Sequence, residues 1–319
     1  MKIVITDAQT VTKGDVSLDC LKDFGEVVIY PLTKPAELSE RIGDADAVLT
    51  NKSRITREVM ASCPNLRYIG LFATGYNNID TVAAREYGIT VCNAGSYSTD
   101  SVAQQVFAFL LNHASSVAKY NNFVQQGNWI ASPTFSPFVY DMGELSGKTL
   151  GIFGFGNIGK KVATIARAFG MKVIVTTRTK RDDDQKTYGI EYVDFDTLLS
   201  QSDYISVHCP LTAKTEGIFD ADAFAKMKKG CYFINTSRGA VLDEGALRDA
   251  VLSGHLAGAG IDVLTVEPMQ DACPLLGVDG ISITPHVAWA PYETRVRLLS
   301  IVYDNIKHFL DHKPTNVVS

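Results

Sequence analysis

Nothing limits this chain more than the stretch Thr149-Leu150-Gly151-Ile152-Phe153-Gly154-Phe155-Gly156-Asn157-Ile158-Gly159. A short apolar run enters three glycines at G-x-G-x-x-G spacing, and a helical pattern follows. Ile158, Val162, Ile165, Ala166 and Phe169 fall on one face of a 3.6-residue period, and Gly170 supplies a C-terminal stop. Met171 to Val175 then reads as a second strand. Strand, glycine turn, helix and strand make a complete β-α-β unit. In that setting Gly154 permits the tight turn, Gly156 lets the main chain approach a pyrophosphate, and Gly159 lets the helix pack close to the strand. The first-turn amides at Asn157 and Ile158 and the positive end of the helix favour phosphate charge. The glycine spacing alone carries little; its context on both sides points to a bound dinucleotide.

The same grammar extends along the chain. Lys2–Thr6, Glu26–Tyr30, Ala47–Asn51, Leu66–Phe72 and Ile89–Cys92 read as strands, with short helical stretches between them. After the fingerprint unit, strands are expected at Tyr192–Phe195, Tyr204–Cys209, Cys231–Thr236, Gly258–Val263 and Ile281–Thr284. Strands alternating with helices predict an α/β protein of two Rossmann-like domains, each an open parallel sheet with helices on both faces. The expected division is residues 1–100 plus 292–319 as one domain and 101–291 as the other. Asp100 to Phe123 predicts one long helix, of a length that suits a connection between domains. Residues 127–144 are irregular but aromatic, with Trp129, Phe135, Phe138 and Tyr140, which suits an interface arm.

With 319 residues, 46% of them hydrophobic and 20% charged, the chain is long enough for two cores and too apolar to be disordered. A net charge of −5 with no basic block argues against nucleic acid or an anionic membrane as partner. No apolar run approaches the ~20 residues of a membrane span. The six cysteines are scattered without C-x-x-C spacing, so neither a metal site nor a disulfide framework is expected, and a cytoplasmic setting is.

Ligands of open α/β sheets bind beyond the carboxyl ends of the strands. Three polar residues follow strand ends there: Arg238 in Asn235-Thr236-Ser237-Arg238-Gly239, Glu267 before Pro268, and His286 in Thr284-Pro285-His286. Taken singly, each is also what an ordinary turn carries. With Ala73-Thr74-Gly75-Tyr76-Asn77-Asn78-Ile79-Asp80, Gly147-Lys148-Thr149 and Gly260-Ile261-Asp262-Val263, they make several motifs in order, and the whole chain resembles the D-isomer-specific 2-hydroxyacid dehydrogenases. Asn51-Lys52, the Ala73-Thr74-Gly75 loop, the segment around Val102 and Trp289 look most like the glycerate dehydrogenase and hydroxypyruvate reductase branch.

The resemblance implies an NAD(P)-dependent enzyme that reduces a small 2-keto acid to the D-2-hydroxy acid. It implies that Arg238 grips the substrate carboxylate and keto oxygen, helped by the backbone amides of Thr74 and Gly75 and by Lys52 and Trp289. His286 would pass the proton, and Glu267 would pair with it, fix its tautomer and favour its charged form. Asp262 would meet the nicotinamide amide. Val102, Val207, His208, Pro210, Thr215 and Thr236 would line the cofactor groove. A homodimer is also implied. Hydroxypyruvate or glyoxylate is the expected substrate. D-lactate or D-3-phosphoglycerate dehydrogenase, and a non-catalytic nicotinamide-sensing protein of the same fold, are the alternatives.

One position departs from the commonest NAD pattern. An acidic residue usually stands about 20 residues past the fingerprint, on the ribose 2′-hydroxyl. Here the second strand ends Thr176-Thr177-Arg178-Thr179-Lys180-Arg181. Thr177 removes the carboxylate and Arg178 can meet a 2′-phosphate, which favours NADP(H) over NAD(H). Asp182, Asp183 and Asp184 follow at once and weaken that electrostatic case.

Overall fold

A computed structural model describes residues 1–319, and the chain divides into two compact units. The first comprises Met1–Ser98 and Trp289–Ser319, the second Thr99–Ala288. No helix is long and apolar enough to cross a membrane.

In the first unit, β1 (Lys2–Ile5), β2 (Glu26–Ile29), α1 (Leu38–Ile42), β3 (Ala47–Thr50), α2 (Arg57–Ala61), β4 (Tyr68–Leu71), α3 (Thr81–Glu86) and β5 (Thr90–Cys92) follow one another. The five strands are parallel, in the order β2-β1-β3-β4-β5. Their period-two alternation feeds two cores. Ile3, Ile5, Ala47 and Leu49 point into one, Val4, Val48 and Ile69 into the other. The second of these takes the apolar faces of α1, α2 and α3 through Leu38, Ile42, Val59, Met60 and Ala83. The order reverses between β1 and β3, so the switch point lies beyond the carboxyl ends of these two strands.

The second unit opens with α4 (Thr99–Ser115) and α5 (Val117–Gln125). These are two helices where the apolar periodicity predicts one from Asp100 to Phe123. Ser116 takes a left-handed conformation at φ 49° and its hydroxyl donates to the Asp141 carbonyl at 2.9 Å, which turns the chain. Nor does α4 serve as a bare connection: Val106, Phe109, Leu110 and Ala114 belong to the core of this unit.

Then come β6 (Thr149–Phe153), α6 (Asn157–Ala168), β7 (Lys172–Thr176), α7 (Asp182–Tyr188), β8 (Glu191–Tyr192), α8 (Phe195–Gln201), β9 (Tyr204–Val207), α9 (Ala221–Lys226), β10 (Tyr232–Asn235), α10 (Glu244–Leu252), β11 (Gly258–Ile261) and β12 (Ile281–Ile283). The seven strands are parallel, in the order β12-β11-β10-β9-β6-β7-β8. One face is covered by α4 and α6, the other by α8, α9 and α10. The strand expected at Tyr192–Phe195 ends at Tyr192, because Asp194 accepts from the Thr197 amide and caps α8 instead. The chain ends with α11 (Tyr292–Leu310), which buries Leu298, Leu299, Val302 and Ile306 in the core of the first unit.

Candidate active site

The second sheet reverses order between β6 and β9, and the fingerprint turn stands there. Gly154 has φ 97°, and a Cβ on it would lie 2.7 Å from the backbone at His208 and Cys209. The turns after β6 and β9 therefore touch. A Cβ at Gly159 would lie 2.5 Å from the Gly154 carbonyl oxygen, so only glycine lets α6 pack so close. Gly156 is different: a Cβ there would meet nothing within 4 Å. It is also the N-cap of α6 and brings no capping side chain, so the Ile158 and Gly159 amides have no acceptor in the chain. Open space beside unspent helix amides fits a phosphate group. Thr236, at the end of β10, adds a buried hydroxyl without a partner. These features fit a dinucleotide and not a plain turn.

Other expected groove residues divide by exposure. His208 is half-buried beyond β9, its Nε2 2.8 Å from the Ser206 hydroxyl, and burial pushes the imidazole down to about 3. The ring is thereby kept in its neutral form, which does not suit an imidazolium acid. Thr215 closes a turn by donating to the Pro210 carbonyl at 2.7 Å. Two of the expected residues offer no surface. The Val207 side chain is 0% exposed, in the core with Phe153, Phe219 and Phe233. Val102 is 5% exposed in the first turns of α4. The Val207 side chain serves packing, because it lies on the inward face of β9.

Beyond β7, Thr177 is half-buried and Arg178 is exposed without an ion pair. The acidic run that follows is a helix, α7. Its Asp184 is buried, 2.7 Å from Lys160 Nζ and 3.1 Å from the Tyr192 hydroxyl, and the Lys160 ammonium draws its carboxyl below the usual range. One of the three carboxylates is thus neutralised inside the fold.

The chemistry-bearing side chains come from the next three strand ends. Arg238 follows β10; its guanidinium donates to the Ser237 carbonyl at 2.6 Å and meets no carboxylate. Asn235 fixes this loop, its amide donating to the Arg238 carbonyl and its oxygen accepting from Ser237. His286 follows β12 with φ 54°, and its amide donates to the Asp262 and Thr284 carbonyls. Its Nδ1 lies 2.7 Å from Glu267 Oε2, and Glu267 Oε1 accepts from the Leu264 amide at 3.0 Å. The pair is partly open to solvent, at 26% and 33% of the side chains.

Asp262 is tied inward. Its carboxylate is 1% exposed and accepts from the Thr284 hydroxyl and from the Val287 and Ala288 amides at 2.5, 2.9 and 3.0 Å. Burial pushes its carboxyl up, against those donors and the nearby imidazole. These three bonds make it the brace of the loop that carries His286, and Oδ2, which takes one of them, keeps acceptor capacity for the nicotinamide amide that the resemblance assigns to this residue.

In the first unit the Thr74 and Gly75 amides have no acceptor in the chain. The Thr74 hydroxyl donates to the Gly95 carbonyl and Asn93 donates to the Thr74 carbonyl at 2.7 Å, which holds this loop open-handed. Lys52 is exposed on the loop after β3, and Trp289 packs edge-on to Tyr97 at 6.2 Å. A residue that sequence reasoning passes over organises these loops. The Asp7 carboxylate, beyond β1, accepts from the Asn51, Lys52 and Ser53 amides and the Thr50 and Ser53 hydroxyls. Asn78 then ties the Thr74 loop to it through the Ser53 carbonyl at 2.8 Å. The only sequence signal for Asp7 is a carboxylate directly after an apolar strand.

Comparison with known proteins agrees with this geometry. Residues 107–288 match the model of the D-isomer specific 2-hydroxyacid dehydrogenase NAD binding domain. A hydroxypyruvate reductase of Blautia hydrogenotrophica is 43% identical, with all of both chains covered. Among solved structures, the TT0316 protein of Thermus thermophilus superposes with a TM-score of 0.90 at 33% identity, all of both chains covered. An acyclic imino acid reductase in complex with NADPH and D-Arg superposes at 0.88 and 31% identity, also over both whole chains. A glycine turn at the switch point, a histidine held by a glutamate and an arginine without a counter-ion thus stand in a chain matched along its whole length, and the chain belongs to the D-isomer-specific 2-hydroxyacid dehydrogenases.

Proposed function

We propose that this NAD(P)-dependent oxidoreductase reduces hydroxypyruvate or glyoxylate to the corresponding 2-hydroxy acid. The observation that carries the reading is the His286–Glu267 pair, with Arg238, which has no carboxylate partner, at a strand end of the same sheet. Arg238 binds the α-carboxylate and keto oxygen with two N–H donors. Thr74 and Gly75 donate their unspent amides to the same class of anion, and Lys52 and Trp289 contribute to substrate selection. His286, with Nδ1 engaged by Glu267, gives a proton to the carbonyl oxygen from Nε2 and takes it back in the reverse direction. A bound nicotinamide supplies the hydride in reduction and accepts it in oxidation. The first unit is the substrate-binding domain.

The cofactor preference we infer is NADP(H). Thr177 puts no carboxylate against a 2′-phosphate, Arg178 is unpaired, and Asp184 is neutralised by Lys160. The named NADPH complex of a structural relative supports the same reading. The enzyme works in the cytoplasm as a homodimer.

Steady-state kinetics on hydroxypyruvate, glyoxylate, pyruvate and 3-phosphohydroxypyruvate, each with NADPH and NADH, test the proposal. The expected result is the highest kcat/KM on one of the first two substrates with NADPH. A preference for pyruvate or the phosphorylated substrate replaces the substrate assignment. Tight cofactor binding with no turnover on any of the four favours the sensing protein.

A further inference from the structure

Glu267 is the last residue of a turn, Leu264 to Glu267, that has no secondary structure of its own. A carboxylate on such a turn is only as well aimed as the turn is held. Two independent contacts hold it. The first comes from α10, whose first residue, Glu244, accepts from the Thr265 amide through Oε1 at 2.7 Å. Its Oε2 lies 4.0 Å from the Cys273 thiol. The second is steric: a Cβ at Gly239 would sit 1.9 Å from the Leu264 carbonyl carbon and 2.2 Å from the Thr265 amide. The loop that carries Arg238 therefore lies directly on the peptide that Glu244 grips. The next amide along, Leu264, donates to Glu267 itself.

We propose that Glu244 is a positioning residue of the active site, holding the Leu264–Glu267 turn so that Glu267 meets His286 Nδ1. This rests on the acid–base reading of the His286–Glu267 pair given above. Glu244 sits 23 residues before Glu267 in sequence and touches neither member of the pair; it acts on the main chain between the arginine loop and the glutamate. A misplacement of about 1 Å at a reacting group costs on the order of a hundredfold in rate.

The test separates reach from charge. Glu244→Asp keeps the charge in the first turn of α10 but shortens the arm by one methylene. Glu244→Gln keeps the length and an acceptor oxygen but removes the charge. The readouts are the 15N spectrum of His286 in the isolated protein, which reports how much of the neutral ring is the Nδ1–H tautomer, and the split of kcat from KM. We expect Glu244→Asp to lose Nδ1–H tautomer and to lower kcat about tenfold with KM little changed. Glu244→Gln should stay within about twofold of wild type. In a Glu267→Ala background, Glu244→Asp should have no further effect on the tautomer, since it acts through Glu267. A wild-type spectrum and kcat for Glu244→Asp overturns the proposal, as does a defect confined to Glu244→Gln, which would mark a merely structural charge on the helix. If Glu267→Ala alone leaves the His286 tautomer unchanged, the acid–base reading falls and this inference with it.

Discussion

At the scale of residues, the site depends on side chains whose hydrogen-bonding capacity is divided between holding and reacting. Asp262 braces the 284–288 turn with its oxygens, while Arg238 gives one N–H to the Ser237 carbonyl and meets no carboxylate. Replacing His286 with Ala should lower kcat by about a hundredfold to ten-thousandfold, the range for a positioned acid, with smaller change in KM. Arg238→Ala should raise KM as well as lower kcat, because it removes substrate binding together with orientation. Measured rates in which Arg238→Ala leaves KM untouched would unseat its assignment. His208 behaves oppositely to a catalytic acid. Its imidazole is held down to about 3 by burial, whereas an unfolded histidine titrates near 6.5. Between those values the unfolded chain binds a proton that the folded one refuses, so stability falls as pH drops through that window. The full slope is about 1.4 kcal/mol per pH unit. Denaturation midpoints of His208→Gln should therefore fall less steeply from pH 6.5 to pH 4 than those of wild type; parallel curves would contradict the burial argument. His286, Glu267 and Arg238 stand out in the sequence because each follows an expected strand. Asp7 and Glu244 do not, because the amides they grip are remote in the chain, those of Asn51 to Ser53 and of Thr265.

At the scale of elements, the cofactor loop beyond β7 carries the sharpest prediction. Thr177→Asp places a carboxylate where an NAD-type domain has one, repelling a 2′-phosphate and accepting from a 2′-hydroxyl. The ratio of kcat/KM for NADPH to that for NADH should drop by tenfold or more, on the order of one charge–charge interaction in a partly shielded site. A wild-type enzyme that already prefers NADH by a wide margin would overturn the reading of this loop. The strands were legible because apolar runs bounded by turn residues have few other uses, and β1, β6 and β9 begin where the pattern does. The break at Ser116 was not. A 3.6-residue period continues through it, and the contact that bends the chain comes from Asp141, 25 residues later. The boundary at Tyr192 was partly legible, since Asp194 with Thr197 carries a cap signal that an alternating pattern overrides. α7 hid for a different reason: three aspartates read as a solvated run until Asp184 is seen against Lys160.

At the scale of the whole molecule, the same device is used twice: a parallel sheet whose order reverses beside its first strand, with polar groups gathered beyond the reversal. What this does not account for is the arm between α5 and β6. Ile130, Phe135 and Phe138 are 93%, 90% and 88% exposed, and Trp129, Val139 and Met142 are about half exposed. The arm is not loose, for Trp129 Nε1 donates to the Phe135 carbonyl, and Tyr120 bonds the carbonyls of Pro137 and Tyr140. An ordered segment that holds large apolar side chains in water has a cost that a partner surface removes. The occupant we infer is a second copy of the chain, since closed two-fold pairing is the commonest way to bury such a patch and needs no other gene product. Sedimentation should give a dimer at micromolar concentration. Phe135→Asp combined with Phe138→Asp should shift it toward monomer without changing the spectrum of the folded chain, because those side chains contribute nothing to either core of the second unit. A wild-type monomer at that concentration would refute the pairing. A double variant that stays dimeric would move the interface away from the arm.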